Sequence, residues 1–146
     1  MALLVAGSRN TKLSLDQVSD MLDDATRSIE SAIELVITGA AMGIDRHAEA
    51  WARKRGYPVS QYIPDWTRGK AAGLLRNTDM VEAATWVITI WNGISSGTAD
   101  TIKKAKAAGK LLAAISDDQP PTPGTLDPYV ATYKSPKKVR MGANRV

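Results

Sequence analysis

The stretch Trp86–Ile102, WVITIWNGISSGTADTI, decides how the rest of the chain is read. Its β-branched and apolar run breaks at Asn92-Gly93, passes through Ser95-Ser96-Gly97-Thr98, and continues with helical spacing at Thr98, Ile102, Ala105 and Ala108. The order is a strand, a loop of small residues and a helix. Such a junction gathers unpaired backbone N–H groups and the positive end of a helix dipole, which together attract an anion such as phosphate. A plainer reading is that Gly97 permits a tight turn and Thr98 caps the helix. The anion-binding reading gains weight because the chain repeats this kind of junction.

Upstream, Ala2–Ala6 reads as a buried first strand closed by Gly7-Ser8-Arg9-Asn10. Ser14-Leu15-Asp16-Gln17 has capping-box spacing, and Leu15, Val18, Leu22, Ala25, Ile29 and Ile33 predict one helix through that span. Leu35–Thr38 is a second strand. Gly39-Ala40-Ala41-Met42-Gly43 leads from it into a helix with an inward stripe of Ile44, Ala48, Trp51 and Ala52, stopped at Gly56. Pro58–Ile63 reads as a strand near a sheet edge because of its leading proline. After Asp65-Trp66, a helix is expected from about residue 70 to 84, with Leu74, Asn77, Val81 and Ala84 on one side. The fourth strand is Trp86–Trp91 and the fifth Leu111–Ile115. Strands separated by helices imply parallel crossovers, hence an α/β, Rossmann-like doubly wound sheet of about five strands in the order 3-2-1-4-5.

With 146 residues and 44% hydrophobic content, the sequence is long enough for one domain with a substantial core. It has no cysteine, which excludes disulfides and thiolate metal sites. No apolar run approaches the roughly 20 residues that span a bilayer, and a cytoplasmic location without membrane association is expected. The net charge of +4 is concentrated in residues 119–146, where five basic groups face one acid, Asp127; residues 1–118 carry fourteen charges of each sign. A neutral body lacks the basic face that nucleic-acid backbones require, so nucleic acid is not an expected partner. The segment after Asp118 is Pro-rich and then basic, and reads as an irregular C-terminal arm beyond a domain of residues 1–118.

In a doubly wound sheet the loops leaving the strand carboxyl ends share one rim, and ligands bind there. Gly7-Ser8-Arg9, Gly39 to Asp45, Asp65-Trp66 and Gly93 to Asp100 would meet at that rim. No Walker lysine motif and no GxGxxG occurs, so a compact nucleotide fits better than an extended dinucleotide. Arg76 pairs either with Asp79 or Glu82 on its own helix or with a phosphate beside the Gly-Thr loop. Asp45 is either a helix cap or a partner of ribose hydroxyls; Trp66 is either a lid on the core or a stacking surface for a base. His47 reads as a partly buried surface histidine, without companions for a metal site.

Taken together, Gly7-Ser8-Arg9, Thr38-Gly39-Ala40-Ala41-Met42-Gly43-Ile44-Asp45-Arg46, Asp65-Trp66, Gly69-Lys70-Ala71-Ala72-Gly73, Arg76-Asn77 and Gly93 to Thr98 resemble the YspA-like group of the SLOG superfamily. That superfamily includes the Lonely Guy phosphoribohydrolases, DprA-type DNA-processing proteins and sensors of nucleotide-derived signals. The resemblance runs from Leu3 to about Ile115. It implies a Rossmann-like fold, a nucleotide-type ligand and a homodimer or larger oligomer. Arg76 stands where the Lonely Guy enzymes have a catalytic arginine, Asn77 replaces the lysine that follows it, and Gly97 and Thr98 match the GGxGTxxE loop. The glutamate of that loop is Thr101 here. Asp100 is the neighbouring acid, about 100° away around the helix.

The leading expectation is binding of a nucleotide or nucleotide-derived signal by Gly7, Ser8, Arg9, Gly39, Ala40, Gly43, Asp45, Trp66, Arg76, Asn77, Gly93, Ser95, Ser96, Gly97 and Thr98, with neither cofactor nor metal. The runner-up is N-glycosidic cleavage of a nucleoside monophosphate by Arg76 and Asp100. A third reading is DprA-like binding of single-stranded nucleic acid through the arm.

Overall fold

The computed structural model describes residues 1–117. The expected arm, including the Tyr129 to Tyr133 alternation, lies outside the described residues. Five strands, β1 (Ala2–Gly7), β2 (Leu35–Thr38), β3 (Val59–Gln61), β4 (Trp86–Trp91) and β5 (Leu111–Ser116), form one sheet in the order β3-β2-β1-β4-β5. Every pairing is parallel, with Val5 beside Ile88 and Gly7 beside Ile90 at the centre. The central strands carry mostly apolar and β-branched residues, the buried Thr89 of β4 included, because both of their faces are covered. Leu3, Val5, Ile88 and Ile90 face one core together with Ile44, Ala48, Trp51 and Ala52. Leu4, Ala6, Ile37 and Val87 face a second core with Met80, Val81, Ala84 and Ala105.

The helices α1 (Leu15–Ala25) and α2 (Ile44–Lys54) cover the first face, and α3 (Ala72–Ala83) and α4 (Ser96–Ala107) the second. The capping box forms as the sequence implies: Ser14 Oγ accepts from Gln17 N–H and Gln17 Oε1 accepts from Ser14 N–H. The helix it starts is shorter than expected. Thr26 ends α1, its hydroxyl donating to the Leu22 carbonyl at 2.7 Å and its backbone leaving helical geometry. Ile29 and Ile33 still pack on the core, from turns and a 3-10 segment, Glu30–Ala32.

Three further boundaries differ from expectation. β3 is confined to Val59–Gln61, at the sheet edge. A 3-10 turn, Trp66–Arg68, precedes α3, which begins at Ala72; on α3 Asn77, Val81 and Ala84 are buried while Leu74 is 49% exposed. The cap of α4 is Ser95, whose Oγ accepts from Thr98 N–H, so Thr98 is a residue of the first turn and not the cap. Among the described residues no helix is long and apolar enough to cross a membrane.

Candidate functional site

The carboxyl ends of β1, β2 and β4 and the N-termini of α2 and α4 surround a cavity of about 70 Å³. Two glycines make this convergence sterically possible. A Cβ on Gly7 would lie 2.5 Å from Ile44 and would also strike the Ile90 carbonyl. Gly43, at φ +73°, puts the start of α2 against the β1 loop, where a side chain would sit 2.5 Å from the Ser8 carbonyl; Ile44 N–H donates to that same carbonyl. Ser8 is fully buried and joins two loops, its Oγ accepting from Asn92 N–H at 2.8 Å. Asn92 Oδ1 accepts from Ile94 and Ser95 N–H, which shapes the turn into α4. Ser8 and Asn92 therefore hold the two loops together, and neither is among the residues that line the cavity.

The anion-attracting groups come from three elements. Arg9 of the β1 loop and Arg76 of α3 both line the cavity, and so do Ser95, Gly97 and Thr98 at the start of α4. The first turn of a helix leaves N–H groups without intrahelical partners. Ser95 Oγ takes the N–H of Thr98, while those of Ser96 and Gly97 make no hydrogen bond among the described residues. Arg76 is half-buried. Its Nη1 donates to the carbonyls of Gly39 at 2.8 Å and Tyr62 at 3.0 Å, and its Nε to Asn77 Oδ1 at 3.0 Å. It pairs with neither Asp79 nor Glu82. Burial lowers its pKa from the ordinary arginine value, the positive charge of Arg9 acts in the same direction, and Asp45 opposes both.

Asn77 is buried and links this arginine to α4, its Nδ2 donating to Asp100 Oδ2 at 3.1 Å and to the Gly97 carbonyl at 3.3 Å. Asp100 also accepts from Lys104 Nζ at 2.7 Å. The structure thus turns Asp100 towards α3 and away from the cavity. Thr101 lines the cavity instead, with its hydroxyl donating to the Gly97 carbonyl. Adjacent helical positions point about 100° apart, which accounts for the difference.

The carboxylate that does line the cavity is Asp45, on the first turn of α2 and 5% exposed. Its Oδ2 accepts from Ala41 N–H at 3.2 Å, while Oδ1 is buried without a hydrogen-bond partner among the described residues. Burial pushes its pKa up to about 6, against the backbone N–H groups of Ala41 and Gly39 and the charge of Arg76, which favour the charged form; Glu49, one turn along α2, adds to the rise. Ala40, in the same loop, holds φ +60°, a left-handed conformation uncommon for alanine.

Of the remaining candidates, Gly39 contributes its carbonyl to Arg76, and Gly93 and Ser96 lie exposed outside the cavity lining. Trp66 is 65% exposed and leans over Gly73 of α3, so it is not packed into the core. Ala6, Ala41, Met80 and Thr101 complete the lining. Met80 lies four residues beyond Arg76 and three beyond Asn77, a helical spacing that would have placed it on the same face. Ala6 has no chemical signal of its own.

A five-stranded parallel sheet in this order, flanked by helices and with a cavity at its carboxyl rim, is that of a Rossmann-like α/β protein. The chain belongs to the YspA, cpYpsA-related SLOG family, whose model matches residues 1–69. Gene 61 protein of Mycobacterium phage D29 is 34% identical over 114 residues, which cover 73% of this chain and 90% of that protein. The X-ray structure of TM1055, a structural-genomics target, shares the fold with a TM-score of 0.57 at 23% identity, over 75% of this chain and 71% of that one. Family and fold support a nucleotide-related role in general.

Proposed function

We propose that this protein binds a nucleotide or nucleotide-derived ligand at the carboxyl rim, with the phosphate held between Arg9, Arg76 and the first turn of α4. The observation that carries this reading is that two arginines from different elements and a helix N-terminus with uncommitted N–H groups border one cavity. The cavity accommodates a small group such as a phosphoryl and what is attached directly to it. The base then lies on the open rim, where the exposed face of Trp66 offers a stacking surface.

Calorimetric titration with nucleoside mono-, di- and cyclic phosphates tests the reading, alongside mass spectrometry of any ligand copurified from cells. Saturable binding that is lost in Arg76→Ala while the variant stays folded supports it; no heat with any of these compounds, and no copurified ligand, overturns it. Chromatography of the incubated nucleotides separates binding from N-glycosidic cleavage. The same reading includes a homodimer, supported by the exposure of Leu74 and Leu75 on α3. A monomer mass by light scattering at micromolar concentration would end that part of it.

A further inference from the structure

We infer that Asp45 couples ligand binding to protonation: it takes up a proton when a phosphate occupies the cavity, so that affinity falls as the pH rises above neutral. The inference rests on the phosphate site proposed above and adds to it the proton that accompanies the ligand. Asp45 is 5% exposed and lines the same cavity as Arg9, Arg76 and the first turn of α4. Among the described residues it forms no salt bridge. Arg76, whose charge reaches it, directs Nη1 to the carbonyls of Gly39 and Tyr62 and Nε to Asn77. Oδ2 of Asp45 accepts from Ala41 N–H, and Oδ1 has no partner among the described residues. A carboxylate this buried, with one oxygen idle, is poorly compensated for the hydration it has lost.

The charged groups that face Asp45 are Arg76 from α3, Arg9 from the β1 loop and Glu49 one turn along α2. The loop from Gly39 to Gly43 has no ionisable side chain, and neither do the residues of α4 that line the cavity. Asp100 of α4 is turned to Asn77 and Lys104. A phosphate adds up to two negative charges to this small space and shares the two arginines with Asp45, so the carboxylate meets a like charge with less to offset it. Burial already pushes the Asp45 pKa up to about 6. A further rise of roughly one to two units, ordinary for a like charge in the same site, carries it past neutrality. The repulsion acts through space and needs no contact between ligand and carboxylate. The complex then holds a proton that the free protein lacks, so binding is tightest below this range and weakens as the pH rises through it. A phosphate monoester, whose second pKa is about 6, gives up its own remaining proton more readily beside arginines and so contributes release, never uptake.

The test is calorimetric titration of the protein with the 5′-monophosphates of adenosine, guanosine, cytidine and uridine at pH 7.5, in phosphate-free buffers of different ionisation enthalpy, which counts the protons exchanged. For a nucleotide that binds, uptake of roughly 0.2 to 0.7 proton is expected, with affinity falling about twofold to eightfold between pH 7 and pH 8.5. In a folded Asp45→Asn, which has no carboxylate to neutralise, the uptake is expected to vanish and the affinity to stay level over the same range. Binding to the wild-type protein with no uptake, or with net release, overturns the inference and leaves the phosphate site standing. Uptake that persists in Asp45→Asn assigns the proton to another group and also overturns it. Absence of binding by every probe overturns the phosphate site and this inference together. The wild-type measurement needs no substitution, so a variant that failed to fold would not remove the test.

Discussion

Nη1 of Arg76 donates to the carbonyl of Gly39 at 2.8 Å, and the same nitrogen reaches the carbonyl of Tyr62, so one cation from α3 ties down the loops leaving both β2 and β3. The exposed intrahelical pair that the sequence allows would contribute only tenths of a kcal/mol. Two backbone acceptors and Asn77 raise the stakes. Arg76→Ala is expected to lower stability by about 1 to 3 kcal/mol, the range for leaving partly buried acceptors unpaired, in addition to weakening phosphate binding. Arg76→Lys restores charge without the planar fork and should recover only part of each. Thermal melts beside titrations with one ribonucleotide check this; an unaltered melting temperature in Arg76→Ala would show that the loops hold themselves.

Asp45 makes stability depend on pH in an unusual direction for an acid. Its folded pKa, about 6, lies above the ordinary aspartate value of 3.8 because of burial. Between those values the unfolded chain has released the proton and the folded chain keeps it, so stability falls as pH rises through that window and stays lowered above it. The difference corresponds to roughly 3 kcal/mol at neutral pH, as an order of magnitude. Asp45→Asn, which removes the charge at nearly constant shape, is expected to melt several degrees above the wild type at pH 7.5, with the advantage shrinking towards pH 4. Melting curves at four or five pH values decide it, and an Asp45→Asn protein less stable than wild type at pH 7.5 would contradict the burial argument.

Asn77 uses both ends of its amide, accepting from Arg76 Nε and donating to Asp100 and the Gly97 carbonyl. Asn77→Leu keeps most of the volume and deletes all three bonds. The expected cost is about 1 to 3 kcal/mol in urea unfolding, together with looser binding, because Arg76 and the start of α4 lose their common anchor. Unchanged affinity in a folded Asn77→Leu would mean that Arg76 is positioned by the two carbonyls alone.

The parallel sheet was readable because strands buried on both faces need runs of apolar and β-branched residues, as in Trp86–Trp91, and because helical stripes such as Ile44, Ala48, Trp51 and Ala52 separate those runs. Periodicity reports burial and not backbone geometry. That is why Ile29 and Ile33 extended the first helix on paper, although they reach the core from turns beyond Thr26. The rim loops were legible from glycines and small residues, whereas the cavity floor was not: Ala6 and Met80 look like any other core residues. Nor does a sequence reveal which backbone carbonyls an arginine will find. Arg76 was recognisable as a site residue, but its bonds to Gly39 and Tyr62 depend on where two distant loops end. Asp100 and Thr101 differ by one position, and only the packing of α4 against α3 decides which faces the cavity.

Gly97 separates a ligand requirement from a folding requirement more cleanly than Gly7 or Gly43. A Cβ at Gly97 would meet nothing within 4 Å, and its φ is not positive, so neither sterics nor backbone conformation demands glycine there. In the first turn of α4, Gly97→Ala should leave stability unchanged or raise it by up to about 1 kcal/mol, through the better helix propensity of alanine. The added methyl would, however, stand beside the uncommitted N–H groups at the cavity edge and hold a phosphate away from them. A drop of about tenfold in affinity for a ribonucleotide is expected, with a melting temperature at or above that of the wild type. Gly43→Ala should behave oppositely. It forces a side chain at φ +73° against the Ser8 and Arg9 carbonyls and should lower the melting temperature outright. The two melts and one titration series decide the matter: full affinity in a stable Gly97→Ala would move the phosphate off the helix terminus and onto Arg9 and Arg76 alone.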